Sequence, residues 1–350
     1  MSDGTASWVS ASARQDGGSR PTVLFAMPAE LHSRVFDANR LRAIAERADV
    51  LGVVQEFDSA AAREALARTD VLITGWDAPL LDTEVLDRAP RLRAVLHAGG
   101  TVKHHLTSEV WSRGIVVSSA VEANSVPVAQ FAVAMILLAG KRVLPIAERY
   151  RRERTGFDVE ESFPGMGNVD KRVGIVGASR IGRRVIELLA PFGYEIVVFD
   201  PYLDPSEAEA LGVRGVELEE LIATSDIVSI HAPSLPETRH MIDARLIGLL
   251  APGATLINTA RGELVDQDAL IARILRGDLF AILDVTTPWV LDEDNPLYAH
   301  ENVMLTPHIA GSLGTELRGL ADVVIAELDR YRAGEPLRHP VRVEELARTA

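Results

Sequence analysis

The stretch Lys171-Arg-Val-Gly-Ile-Val-Gly-Ala-Ser-Arg-Ile-Gly-Arg183, followed by Tyr194-Glu-Ile-Val-Val-Phe-Asp200, constrains this chain more than any other part of it. An apolar run ends in a glycine turn, a helix-length segment follows, and a second apolar run closes on an acid. Such a turn after a buried parallel strand aims the N–H groups of a helix N-terminus at a pyrophosphate, and a carboxylate ending the next strand accepts hydrogen bonds from a ribose. Gly177, Gly182 and Asp200 have the required spacing, so a dinucleotide site is expected, with Arg180 and Ile181 in its turn. The middle glycine of the usual G-x-G-x-x-G is Ser179 here. A tolerated variant is the expectation, with a hydroxyl contact to phosphate left open. Asp200 repels a 2′-phosphate and Pro201-Tyr202 supplies no arginine to hold one, so NAD is expected over NADP.

The rest of the chain alternates in the same manner. Thr22–Met27, Val50–Glu56, Val71–Trp76, Leu92–Ala98 and Ile115–Ala120 read as strands, with helices over Arg40–Arg47, Ala60–Ala67 and Leu106–Arg113 between them. Alternation of this kind implies a parallel sheet covered on both faces. Val126 to Arg151 reads as one long apolar helix, capped by Asn124 or Ser125, with Pro127 in its first turn and Pro145 kinking or interrupting it. The basic residues Lys141-Arg142 and Arg149–Arg154 read as a solvated helix end that complements the dipole. Six further strands follow, Val173–Val176, Glu195–Asp200, Ile227–His231, Thr255–Asn258, Ala281–Val285 and Val303–Thr306, with helices starting near Arg180, Glu217, Ala244 and Gln267 and a last one over Thr315–Ala333. The fold class is α/β, with two doubly wound parallel-sheet domains. A leader over residues 1–20, rich in Ser, Gly and Ala, is expected to be disordered.

With 350 residues, two well-cored domains are expected. A net charge of −14 argues against a nucleic-acid partner but leaves room for a small anionic substrate held by local arginines. Without cysteines there is no disulfide framework, no thiolate chemistry and no cysteine-ligated metal, and His104 and His105 read as surface residues without metal-ligand spacing. No apolar run is expected to span a bilayer and no basic-then-apolar signal opens the chain, so no membrane partner is expected and the location is expected to be cytoplasmic.

Three more motifs fall at strand ends, where open parallel sheets bind ligands: His231-Ala-Pro-Ser-Leu-Pro-Glu-Thr-Arg239, Ile257-Asn-Thr-Ala-Arg-Gly-Glu-Leu-Val-Asp266 and Leu305-Thr-Pro-His-Ile-Ala-Gly-Ser312. Together with the glycine turn, this ordered set resembles the D-isomer-specific 2-hydroxyacid dehydrogenases, the family of phosphoglycerate, glycerate and formate dehydrogenases, over nearly everything from residue 70 to 340. The resemblance implies a flavodoxin-like substrate domain, 21–123 with 310–350, a Rossmann NAD domain, 124–309, a cleft between them, and a homodimer. It implies transfer of a hydride between NAD(H) and a small 2-hydroxy or 2-keto acid. Arg261 matches the arginine that pairs with the substrate carboxylate and polarises its carbonyl. His308 matches the general acid–base. His231, Ala232, Pro233, Thr238, Thr259, Ala260, Asp284, Ala310 and Gly311 match positions lining the cofactor, Asp284 at its carboxamide. In the first domain Gly99, Gly100 and Thr101 occupy the turn that binds the substrate carboxylate, with Lys103 as a second anion contact.

One position breaks the pattern. The family carries a glutamate in runs such as D-V-T-x-P-E-P, hydrogen-bonded to the catalytic histidine, whereas this chain reads Asp284-Val-Thr-Thr-Pro-Trp-Val290. Trp289 neither accepts a proton nor stabilises an imidazolium by charge. Asp292, Glu293 or Asp294 folding back would repair the loss; otherwise the site is slower, shifted in pH optimum, or adapted to another substrate. Two alternatives therefore stand beside the dehydrogenase reading: a catalytically weakened NAD-binding regulatory protein, and hydride transfer on a non-keto-acid substrate such as a phosphonate or aldehyde.

Overall fold

A computed structural model of the chain describes residues 20–346. The leader expected over residues 1–20 therefore lies, apart from Arg20, outside the described residues. The chain divides into two compact units, one running to Ala123 and taking back Gly314–Leu346, the other formed by Asn124–Leu313.

The first unit holds a parallel sheet of β1 (Thr22–Ala26), β2 (Asp49–Val54), β3 (Val71–Thr74), β4 (Ala94–His97) and β5 (Val116–Ser119), in the order β2-β1-β3-β4-β5. Alternate residues feed opposite faces, as the period of a strand requires. Val23, Phe25, Val71, Ile73, Ala94 and Leu96 enter one core, which helix Leu317–Ala333 closes with Leu317, Leu320, Ala321, Val324 and Leu328. Leu24, Ala26, Leu72, Val95 and Val117 enter the other. The helix expected over Leu106–Arg113 shrinks to Glu109–Ser112, because Val102–Leu106 folds as turns ahead of it.

The second unit holds seven parallel strands in the order β12-β11-β10-β9-β6-β7-β8: β6 (Arg172–Val176), β7 (Glu195–Phe199), β8 (Arg214–Gly215), β9 (Ile227–Ile230), β10 (Thr255–Asn258), β11 (Phe280–Leu283) and β12 (Val303–Leu305). The order reverses beside β6, the arrangement of a dinucleotide-binding sheet. Strand β8 had no sequence signal, being two residues long and paired only with Val197 and Val198. Val173, Ile175, Val198, Ile227, Ile257 and Ile282 pack on one face, and Val176, Val197, Val228, Leu256 and Leu283 on the other.

The long helix differs from expectation. It runs Val121–Gly140, directly after β5, because the Ser119 hydroxyl accepts the Val121 N–H at 3.2 Å. Pro127 consequently sits inside the helix rather than in its first turn. By length and apolarity this segment is sufficient to cross a membrane, contrary to the expectation from sequence, and half of it is buried, with Ala129, Ala132, Ile136 and Ala139 against the seven-stranded sheet. The break falls at Arg142, whose φ is 53°, and Pro145 lies in the first turn of a second helix, Val143–Glu153, where its missing N–H costs nothing. Arg142 is not a solvated helix end: its guanidinium donates to Thr255 Oγ1 at 2.7 Å and lies 4.1 Å over the Phe280 ring, and burial lowers its pKa.

Candidate functional site

The nucleotide turn is shaped by contacts that only glycine permits. Gly177 has φ +97°, and a Cβ there would lie 2.7 Å from the Ala232 nitrogen; at Gly182 it would lie 2.0 Å from the Gly177 carbonyl oxygen. Ser179 caps helix Arg180–Leu189, accepting the Gly182 N–H at 3.3 Å and donating to the His231 carbonyl at 2.8 Å. Its single hydroxyl proton is thus engaged within the protein. Arg180 and Ile181 form the helix's first turn. The Asp200 carboxylate accepts the N–H groups of Ala178 and Tyr202, each at 2.8 Å, so the acid that closes β7 also fixes the turn that follows β6.

The loop after β9 carries His231, Ala232, Pro233 and Thr238. The His231 ring turns inward to Ser229 Oγ, 2.9 Å from Nε2, and burial lowers its pKa to about 4, so it is a neutral core group. Thr238 donates to the Pro233 carbonyl at 2.7 Å and accepts the Leu235 N–H at 2.8 Å, closing its own turn. After β10, the buried Thr259 Oγ1 has no hydrogen-bond partner. Asn258 holds the next residues through the Ala260 N–H and the Arg261 carbonyl. Arg261 donates to the Ala260 carbonyl at 2.7 Å; burial lowers its pKa, and Glu263 opposes that shift.

Asp284 and His308 follow β11 and β12. The Asp284 carboxylate, 1% exposed, accepts the Thr306 hydroxyl at 2.5 Å and the N–H groups of Ile309 at 2.8 Å and Ala310 at 2.9 Å, while its carbonyl accepts the His308 N–H. These four bonds hold His308 in a left-handed conformation, φ 56°. Gly311 lies beside Asn124, whose Oδ1 accepts the Ser312 N–H at 3.1 Å. The residue read as a helix cap instead pins the loop that follows His308.

Trp289 stacks on the His308 ring, with centroids 4.5 Å apart and planes tilted by 31°. The imidazole Nδ1 is buried without a partner, so none of Asp292, Glu293 and Asp294 takes the place of the missing glutamate. Burial, and secondarily the charge of Arg261, lower the His308 pKa, with Asp284 opposing. The loop is held by Gln267, which donates to the Thr287 carbonyl at 2.6 Å and accepts its N–H at 2.9 Å. Sequence reasoning missed Gln267, twenty positions away and without a motif of its own.

In the first unit, Gly99 packs so closely on His97 that a Cβ would stand 2.5 Å from Nε2. Gly100 accepts the Ser119 hydroxyl at 2.9 Å, and Thr101 Oγ1 lies 3.4 Å from the Lys103 N–H. His105 is not a surface residue: it is buried beside His97, with ring centroids 4.6 Å apart, and both rings approach Thr74 Oγ1. Among the described residues no cluster of metal-ligating side chains occurs. A cavity of about 650 Å³ beside β12, lined by Arg142, Phe280 and Tyr298 among others, contains none of these groups.

Residues 133–310 match the family described as D-isomer specific 2-hydroxyacid dehydrogenase, NAD binding domain. The chain belongs to that family. It is 37% identical over 275 residues to D-3-phosphoglycerate dehydrogenase of Mycobacterium bovis, covering 77% of this chain and 51% of that one, and so spans about half the length of that relative. It is 33% identical to glyoxylate reductase of Korarchaeum cryptofilum over 284 residues, 78% of this chain and 82% of the relative. Among solved structures, a phosphoglycerate oxidoreductase from Rhizobium etli superposes with a TM-score of 0.77 at 25% identity, covering 93% and 98% of the two chains. NAD is the cofactor of this 2-hydroxyacid dehydrogenase domain, and the residues present fit it: Gly177 and Gly182 let the turn close on itself and on the His231–Ala232 backbone where any Cβ would clash, Asp200 holds the Ala178 N–H of that turn, and Thr259 Oγ1 is an unpaired buried group.

Proposed function

We propose that this chain is an NAD-dependent oxidoreductase interconverting a small 2-hydroxy acid and its 2-keto acid. The observation that carries the reading is the placement of Arg261 and His308 at the C-terminal ends of β10 and β12 of one sheet, with the arginine's charge acting on the imidazole. The turn Gly177–Gly182, Asp200 and the loops at Ala232, Thr259 and Ala310 would hold the dinucleotide, which supplies or accepts the hydride when bound. Arg261, a planar donor that stays charged, pairs with the substrate carboxylate and draws electron density from its carbonyl. His308 transfers the proton through Nε2, since Nδ1 is buried: it protonates the substrate's carbonyl oxygen in reduction and takes the proton back from the hydroxyl in oxidation. Asp284 keeps the imidazole in place through the backbone of its loop. We assign the backbone of Gly99, Gly100 and Thr101, with Lys103, to substrate carboxylate binding in the first unit.

Purified protein given NADH and a panel of 2-keto acids, from mildly acidic to mildly alkaline pH, is expected to consume NADH; no consumption with any of them sinks the reading. Trp289 favours a second reading, an NAD-binding regulator with weakened catalysis, which NADH binding without turnover together with a persistent protein partner would support. A non-keto-acid substrate, phosphonate or aldehyde, is decided by the same screen. We also propose a homodimer built on helix Val121–Gly140, half of which lies outside the core of the single chain, and sedimentation at the monomer mass would refute it.

A further inference from the structure

Resting on that function, we propose that Trp289 is a specificity determinant that offers the substrate's side chain an apolar face, so that the site takes 2-keto acids with an aromatic or branched aliphatic side chain. The indole lies against His308, the group assigned to the reacting oxygen, yet 66% of Trp289 remains exposed. The residues that follow each member of this pair, Val290 and Ile309, are 70% and 40% exposed. Apolar surface left open beside a reactive group has a reason to stay uncovered when a ligand covers it. The position is held rather than loose, since Gln267 clamps Thr287 and the Thr286 hydroxyl donates to the carbonyls of Pro288 and Trp289.

Charge points the same way. Arg261 is a cation whose field acts on His308, and the proposed reaction commits it to the substrate carboxylate. An indole neither neutralises nor hydrates a distal phosphate or carboxylate. A side chain ending in an apolar group gains contact there, and one ending in a charge does not.

The experiment compares kcat/KM for glyoxylate, phenylpyruvate and 3-phosphohydroxypyruvate in wild type, Trp289→Ala and Trp289→Phe, with calorimetric binding of phenyllactate to the full-length protein saturated with NAD. Phenylpyruvate is expected to be preferred in wild type. Trp289→Ala is expected to cut its ratio over glyoxylate by about tenfold or more, while Trp289→Phe retains most of it. Preference for glyoxylate or the phosphorylated acid, or a ratio that Trp289→Ala leaves unmoved, overturns the specificity and leaves the dehydrogenase reading standing. No turnover with any acid removes that reading, and phenyllactate that then fails to bind wild type, or binds Trp289→Ala equally well, removes this one also.

Discussion

Replacing Trp289 with glutamate places a carboxylate against an imidazole that now stacks on an indole at 4.5 Å. Two unit charges at that distance, in an effective dielectric of about 20, attract by about 3.7 kcal/mol, on the order of 2.7 pKa units. Position 289 is 66% exposed, so solvent screening reduces the gain to about 1 unit. In the wild type, burial and Arg261 hold His308 below its ordinary value and so disfavour the imidazolium proposed to donate the proton in reduction. The new carboxylate stabilises the imidazolium, the pKa rises, and the alkaline limb of the reduction profile moves up by about 1 pH unit. Turnover near neutral pH rises by up to about tenfold, the most by which a shift of about 1 unit enlarges the imidazolium fraction. The assay is the pH dependence of kcat/KM for keto-acid reduction in both proteins, alongside an NMR titration of the His308 ring. A midpoint that stays put or falls refutes the electrostatic argument; a midpoint that rises without any change in rate refutes His308 as the proton donor.

Gly177→Ala forces a Cβ to within 2.7 Å of the Ala232 nitrogen at a φ of +97°, so it is expected to lower stability by more than about 1 kcal/mol and weaken NAD binding, read from Tm and calorimetry. Asp284→Asn turns an amide NH2 toward donors that the carboxylate now satisfies; a loss of about 1–3 kcal/mol in denaturant unfolding is expected, together with a fall in kcat, and unchanged values of both would refute the positioning role. His105 and His231 are each lowered from 6.5 to about 4, so between those values the unfolded chain binds protons that the folded chain refuses. Stability is therefore full above about pH 6.5 and falls as the pH drops toward 4, by up to about 3 kcal/mol per ring, and unfolding curves that stay flat over that window contradict the burial of these rings.

Short apolar runs alternating with helical stretches made the two sheets readable in advance, because strands such as Val173–Val176 and Thr255–Asn258 feed one core from each face and tolerate little else. The helix starts at Arg180, Ala244 and Gln267 were readable for a local reason, the Ser or Asp that caps each. What escaped was decided at long range. Ser119 starts helix Val121–Gly140 earlier than Asn124 and Pro127 suggest, and Arg142 is drawn from solvent by Thr255 and Phe280, more than a hundred positions on. At the site, the family resemblance pointed to Arg261, Asp284 and His308, but not to Asp284 spending its oxygens on the His308 loop, nor to Gln267 clamping the loop of Trp289. Such pairings join residues whose separation in the chain carries no periodic signal.

The return of Gly314–Leu346 to the first unit sets an order for folding during synthesis. Asn124–Leu313 forms one continuous length and has all its strands once β12 leaves the ribosome, whereas the sheet of β1–β5 waits for Leu317, Leu320, Val324 and Leu328 to cover one of its faces. A nascent chain stopped before residue 317 leaves Phe25, Ile73 and Leu96 without that cover, so the earliest-made sheet is the last to close.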